Sequence, residues 1–120
     1  ATTPPAYRSL YERSLRADAS TAAAARIPVE RIGGEVLLAV GGDDQVWPSD
    51  LFAAQIVAAR ERAGLTTTVV SHPDAGHRVL LPGETPATGG IHMVRGGSPV
   101  ADAALGALAW PELLRALRLG

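Results

Sequence analysis

The sequence predicts an α/β fold built on one parallel βαβ unit with flanking helices. Three observations carry this: an apolar run, EVLLAV, at Glu35 to Val40 between glycine pairs; a β-branched run, LTTTVVS, at Leu65 to Ser71; and an amphipathic stretch between them. A short apolar run bounded by turn residues suits a strand buried on both faces, as in a parallel sheet. Strand, helix and strand in that order make a right-handed crossover.

The elements follow in chain order. Ala1 to Pro5 is an extended lead-in, and Tyr7, Leu10, Tyr11, Ser14 and Leu15 recur at spacings of three and four, which predicts a helix from about Ala6 to Arg16. The alanine-rich stretch Ala17 to Arg26 extends that helix or forms a second one capped by Ser20 or Thr21. Ile27-Pro28 ends it, because the residue before proline is pushed out of the helical region. Residues 1–26 are thus expected to form a helical lead-in and residues 27–120 the main unit.

After the first strand, Pro48-Ser49-Asp50 opens a helix, with Ser49 expected to cap free amides. Phe52, Ile56, Ala59 and Ala63 form its inner stripe, Arg60, Glu61 and Arg62 face mainly outward, and Gly64 closes it. The second strand leads into a region rich in glycine and proline, His72 to Gly97, of the length that functional loops reach. Ser98-Pro99 starts the last helix as an N-cap followed by proline in first position. Val100, Ala104, Leu108, Ala101 and Leu105 form its apolar side, and Pro111 is expected to break or kink it ahead of a closing helix to Leu119.

Composition removes several function classes. With 11 basic against 12 acidic side chains the formal charge is −1, which gives no electrostatic footprint for nucleic acid or an anionic membrane. The longest apolar run, Val36 to Val40, is five residues against the roughly 20 of a membrane span. No cationic start followed by an apolar core marks a signal peptide, so a cytoplasmic setting is expected. There is no cysteine and no lysine, which excludes thiolate metal sites, a cysteine nucleophile and a Schiff-base lysine within these residues. The start at Ala1, without methionine, points to a processed or fragmentary product.

Chemistry concentrates in two turns, GGDDQVWPS at residues 41–49 and HPDAGH at 72–77. Both follow predicted parallel strands, at the carboxyl edge where ligands and catalytic groups gather in open α/β sheets. An acid after one strand and a histidine after the next then lie close together, and a carboxylate fixes the tautomer of a histidine that acts as a base. The plainer alternatives are a solvated or capping carboxylate for Asp43 and Asp44 and a loop histidine bonded to backbone for His77. His72, ahead of a proline, reads as structural, and His92 is undecided in its glycine-flanked loop. The spacing of His72, Asp74 and His77 matches no common zinc pattern, and Gly33-Gly34, Gly89-Gly90 and Gly96-Gly97 lack phosphate-loop spacing. No G-x-S-x-G elbow is present, so an acid and a histidine stand without a nucleophile.

Taken together, IPVERIGGEVLLAVGGDDQVWPSDLFAAQIVAAR, SHPDAGHRVLLP and GGSPVADAALGALAWPELLRAL resemble, in one collinear order, the C-terminal part of the acyl-CoA thioesterase and bile acid-CoA:amino acid N-acyltransferase family. The resemblance spans about Ile27 to Leu119 and implies the C-terminal portion of an α/β-hydrolase fold. It implies that Asp44 is the triad acid, with Asp43 as fallback, and that His77, in AGH, is the triad histidine. The serine or cysteine nucleophile, the oxyanion hole and most of the sheet would come from upstream sequence or from a partner chain.

The resemblance thus implies the acid and histidine half of an enzyme acting on acyl thioesters, as a thioesterase or an acyltransferase. It needs no cofactor; acyl-CoA or another acyl thioester is the substrate. An esterase of the same fold is the near alternative. A non-catalytic interaction module derived from such an enzyme is the alternative from another class; the absent nucleophile favours it and the retained acid and AGH turns oppose it.

Overall fold

The computed structural model describes residues 4–17, 26–86 and 93–118. Two parallel strands, β1 (Leu37–Gly41) and β2 (Thr68–His72), are joined by helix α2 (Ser49–Arg62), and helices α1 (Arg8–Ala17) and α3 (Pro99–Leu117) flank them. Leu37 pairs with Thr68 and the register continues to Gly41 opposite His72. This is the small α/β architecture the sequence predicts, with each strand displaced toward its carboxyl end. Residues 18–25, which include the candidate caps Ser20 and Thr21, lie outside the described residues.

Side chains alternate between the two faces of a strand. Val70 faces α3, where it packs on Ala75, Ala101 and Leu105. Val69 and Ser71 face the other way and share a shallow groove with Val40 and the α2 residues Ala53, Ala54 and Val57. The helices therefore cover opposite faces of the pair. The buried apolar set is small and dominated by alanine: Val40, Val46, Ala53, Ala59, Ala75, Ala101, Leu105 and Ala109. Outside it, Leu10 and Tyr11 of α1, Leu51, Val69 and Leu117 remain exposed.

α3 corrects two expectations. It runs unbroken from Pro99 to Leu117 with Pro111 inside it, rather than ending at Trp110. Proline removes the bond to the carbonyl of Ala107, but Ala107, Trp110 and Pro111 all lie on the exposed side, where that carbonyl is open to water. The buried face is Ala101, Leu105, Gly106 and Ala109, whereas Val100 is 82% and Leu108 51% exposed. Gly106 is required there, because a Cβ would collide with the Leu80 carbonyl oxygen. The cap is as predicted: Ser98 Oγ accepts the Ala101 amide at 3.1 Å.

α2 corrects two more. Ser49 does not cap it; Pro48 occupies that position with no side-chain cap, and the Ser49 hydroxyl turns elsewhere. Arg60, expected outside, is 1% exposed. Its Nε donates to Thr67 Oγ1 at 2.9 Å, Nη1 to the carbonyls of Val29 and Ile32 at 3.0 and 2.8 Å, and Nη2 to those of Gly34 and Thr66 at 3.4 and 3.1 Å. All five donors are satisfied by oxygens that carry no formal charge. The guanidinium thereby gathers the 3₁₀ turn Val29–Arg31, which the sequence reading did not foresee, onto the end of α2 and the start of β2. The helix closes as a Schellman motif: Gly64, at φ 78°, donates to Glu61 and Leu65 donates to Arg60. That use of Leu65 is why β2 starts later than the β-branched run.

No helix among the described residues is long and apolar enough to cross a membrane.

Arg60→Met keeps the aliphatic length and removes every one of those donors. It is expected to lower stability by about 2–4 kcal/mol, because several carbonyls and a hydroxyl lose their partners together. Thermal or urea unfolding reads this, and a loss within about 0.5 kcal/mol of wild type would show that water replaces the guanidinium.

Candidate active site

The loop after β1 turns sharply so that its two carboxylates part company. Asp44 points inward and is 2% exposed. Its Oδ1 accepts the amides of Val46 at 2.9 Å and Trp47 at 3.3 Å, and its Oδ2 accepts the Ser49 hydroxyl and faces His77 Nδ1 at 3.1 Å. Buried charge is costly unless hydrogen-bonded, and here both oxygens take two donors each. An ionised carboxylate only accepts, so a neutral imidazole facing it donates from Nδ1 and leaves the Nε2 lone pair available.

His77 is reached from the loop after β2, and 26% of its side chain stays accessible. Its amide donates to the Arg95 carbonyl at 2.9 Å, which also takes the Gln45 amide at 3.3 Å. One backbone oxygen thus ties the acid loop and the histidine loop to the segment before α3. Asp102 of α3 accepts the Gly76 amide at 2.8 Å and fixes the residue before the histidine. The Trp47 ring stands edge-on to the imidazole, with centroids 5.1 Å apart, and meets Tyr11 of α1 in the same manner at 6.0 Å.

Asp43 has a different duty. Its Oδ2 accepts the Gly97 amide at 2.8 Å and its Oδ1 the Gln45 side-chain amide at 3.0 Å. The segment it holds passes so close that a Cβ on Gly96, at φ 72°, would strike the Asp43 carbonyl oxygen. Of the adjacent pair, Asp44 meets the histidine and Asp43 fastens the third loop.

The other candidates stand apart. His72 Nδ1 accepts the Asp74 amide at 3.1 Å, a local turn bond. His92 and Gly89-Gly90 lie outside the described residues. Among the described residues no group of three His, Asp or Glu side chains converges to hold a metal.

Three participants escaped the sequence reading. In the sequence Ser49 reads as a helix cap, Trp47 carries no motif, and Arg8 sits in a helix remote in sequence from both turns. Arg8 pairs with Asp50 at 2.8 Å and Glu12 at 2.9 Å, and its backbone amide donates to Gln45 at 3.1 Å. Desolvation lowers the basicity of its guanidinium, but the hydrogen bonds and charges of Asp50 and Glu12 outweigh this and raise it overall. Only Ser49 left a usable signal, its place shortly after the acid on a helix start.

The sequence matches the family described as BAAT / Acyl-CoA thioester hydrolase C terminal over residues 8–118. The chain belongs to this family. The match begins inside α1, ahead of the similarity noted from Ile27. Over 94 residues the chain is 32% identical to acyl-coenzyme A thioesterase 2, mitochondrial, of Mus musculus, an alignment covering 72% of this chain and 21% of that protein. It thus corresponds to about a fifth of that relative's length. Both findings agree with an acyl-CoA thioesterase-type C-terminal domain on an α/β-hydrolase portion.

Asp43→Ala is expected to free the Gly97 amide while leaving the Asp44 and His77 contact in place. Amide hydrogen exchange should speed at Gly97 and stability should fall by about 1–2 kcal/mol. Unchanged exchange at Gly97 would show that Asp43 does not fasten this loop.

Proposed function

We propose that this chain supplies the acid and the base of an acyl-thioester hydrolase, with acyl-CoA as the substrate class. The observation that carries the proposal is the contact between His77 Nδ1 and an Asp44 carboxylate that is buried and otherwise saturated with donors. In the proposed reaction His77 Nε2 takes the proton of a serine or cysteine nucleophile as it attacks the thioester carbonyl. Asp44 holds the tautomer and stabilises the imidazolium that forms. The thiol departs with that proton, and water, activated by the same nitrogen, releases the acid from the acyl-enzyme.

The nucleophile and the oxyanion donors are proposed to come from upstream sequence or from a partner chain. Support lies in the sheet. Two strands cannot cover their own faces and edges, and a groove of about 350 Å³ along β1, lined by Leu38, Phe52 and Ile56, stands open beside the acid loop. Release to water is preferred over transfer to an amine because the curated relative is named a thioesterase. Transfer to another acceptor uses the same acid and base, and product analysis distinguishes the two.

In the full protein, His77→Ala is expected to abolish acyl-thioester turnover with little change in thermal stability. Asp44→Asn should lower kcat by about 10³ to 10⁴, since the imidazole loses both its tautomer and its counter-charge. Steady-state kinetics with an acyl-CoA substrate checks both. Full turnover in His77→Ala would overturn the proposal and leave a non-catalytic interaction module as the better reading.

A further inference from the structure

Each oxygen of Asp44 has its own kind of anchor. Oδ1 is held by two backbone amides, Val46 and Trp47, which no side-chain change other than to proline would remove. Oδ2 meets two side chains, His77 and Ser49. Two hydrogen bonds at Oδ1, one of them long at 3.3 Å, leave small rotations about the Cβ–Cγ bond soft, and each such rotation swings Oδ2; a second fixed point, at Oδ2, stiffens it. Ser49 is that point, because it is the first residue of α2, its amide donates to Trp47 at 2.9 Å, and the buried Pro48 precedes it. Its hydroxyl is available because the helix start carries no side-chain cap.

We infer that Ser49 is a positioning residue for the acid and histidine pair: its hydroxyl sets the direction of Asp44 Oδ2 and so the aim of the His77 ring. The inference rests on the proposed function for its kinetic consequence, but its structural part stands on Asp44, Ser49 and His77 alone. Asp44 keeps its backbone anchors without Ser49, so the carboxylate stays buried while its hold on Nδ1 loosens. The effect is therefore on the chemical step and not on substrate binding.

The test uses the full protein and three variants, Ser49→Ala, Ser49→Thr and Ser49→Cys. Ser49→Ala is expected to lower kcat about ten- to a hundredfold, the scale of misaiming a catalytic group, with KM unchanged. In proton NMR, the low-field Nδ1–H resonance of His77 should be sharp in wild type, broadened or lost in Ser49→Ala, and restored with kcat in Ser49→Thr, which keeps the hydroxyl. If Ser49→Ala does not fold, Ser49→Cys, similar in size with a weak S–H donor, serves in its place and should show the same loss in milder form.

A wild-type kcat and an unchanged Nδ1–H signal in Ser49→Ala would overturn the inference. So would a loss of kcat accompanied by a fall in thermal stability that Ser49→Thr does not restore, which marks a merely structural serine. The two proposals fail separately. Turnover persisting in His77→Ala removes the proposed function, while the resonance still reports whether Ser49 holds Asp44. Loss of turnover in His77→Ala beside an unaffected Ser49→Ala removes only the inference.

Discussion

A carboxylate buried away from water forces the chain around it to supply donors, and Asp44 imposes that demand on the whole carboxyl edge of the sheet. Leaving such a group without partners costs several kcal/mol, so the turn, the helix start and the next loop are constrained together. The Val46 and Trp47 amides converge on Oδ1 only if the chain turns directly after Asp44. Ser49 reaches Oδ2 only if α2 begins where it does, and His77 completes the set only if the loop after β2 folds back over the first. The acid, the helix start and the histidine are one structural unit.

That unit matters more here because the apolar core is thin. Five of its eight buried apolar residues are alanine, each contributing little buried area. Polar ties make up much of the cohesion between loops. Asp43 on the Gly97 amide, Asp102 on the Gly76 amide and the shared Arg95 carbonyl lock three loops at one end. Arg60 gathers four carbonyls and a hydroxyl on the side of the 3₁₀ turn. Each tie is worth only about 1–3 kcal/mol, but each removes a way for the loops to slide past one another.

The features legible in the sequence were those that local chemistry decides. An apolar run between glycine pairs and a β-branched run name the strands, and the crossover between them makes the strands parallel. Parallel strands send both following turns to one edge, which is why the sequence alone brings Asp44 and His77 together. Ser98-Pro99 names a helix start outright. What stayed hidden depends on groups distant in sequence. Arg60 reads as a surface residue because the carbonyls of Val29, Ile32 and Gly34 that solvate it lie about thirty positions away. The inner face of α3 is not legible in the sequence, because an alanine-rich helix offers several apolar stripes and the sheet chooses among them. Pro111 is tolerated because its lost bond falls on the wet side, which the sequence does not record.

The division between tied and untied surfaces bears on how the proposed reaction would be assembled. Every donor that aims Asp44 and His77 belongs to this chain, so the pair needs nothing else to acquire its geometry. The apolar flanks are the reverse: among the described residues nothing covers the grooves beside α2, at Leu38, Phe52 and Ile56 on one side and Val57 and Val69 on the other. Affinity for a covering segment would then reside in apolar contacts along β1 and α2, whereas the aim of the imidazole would reside in hydrogen bonds that such a segment does not touch. Separating the two has a mechanical consequence. In the proposed reaction, a nucleophile and oxyanion donors brought in by the covering segment would meet a base whose direction is already set, so placing those groups would be the geometric task left to docking.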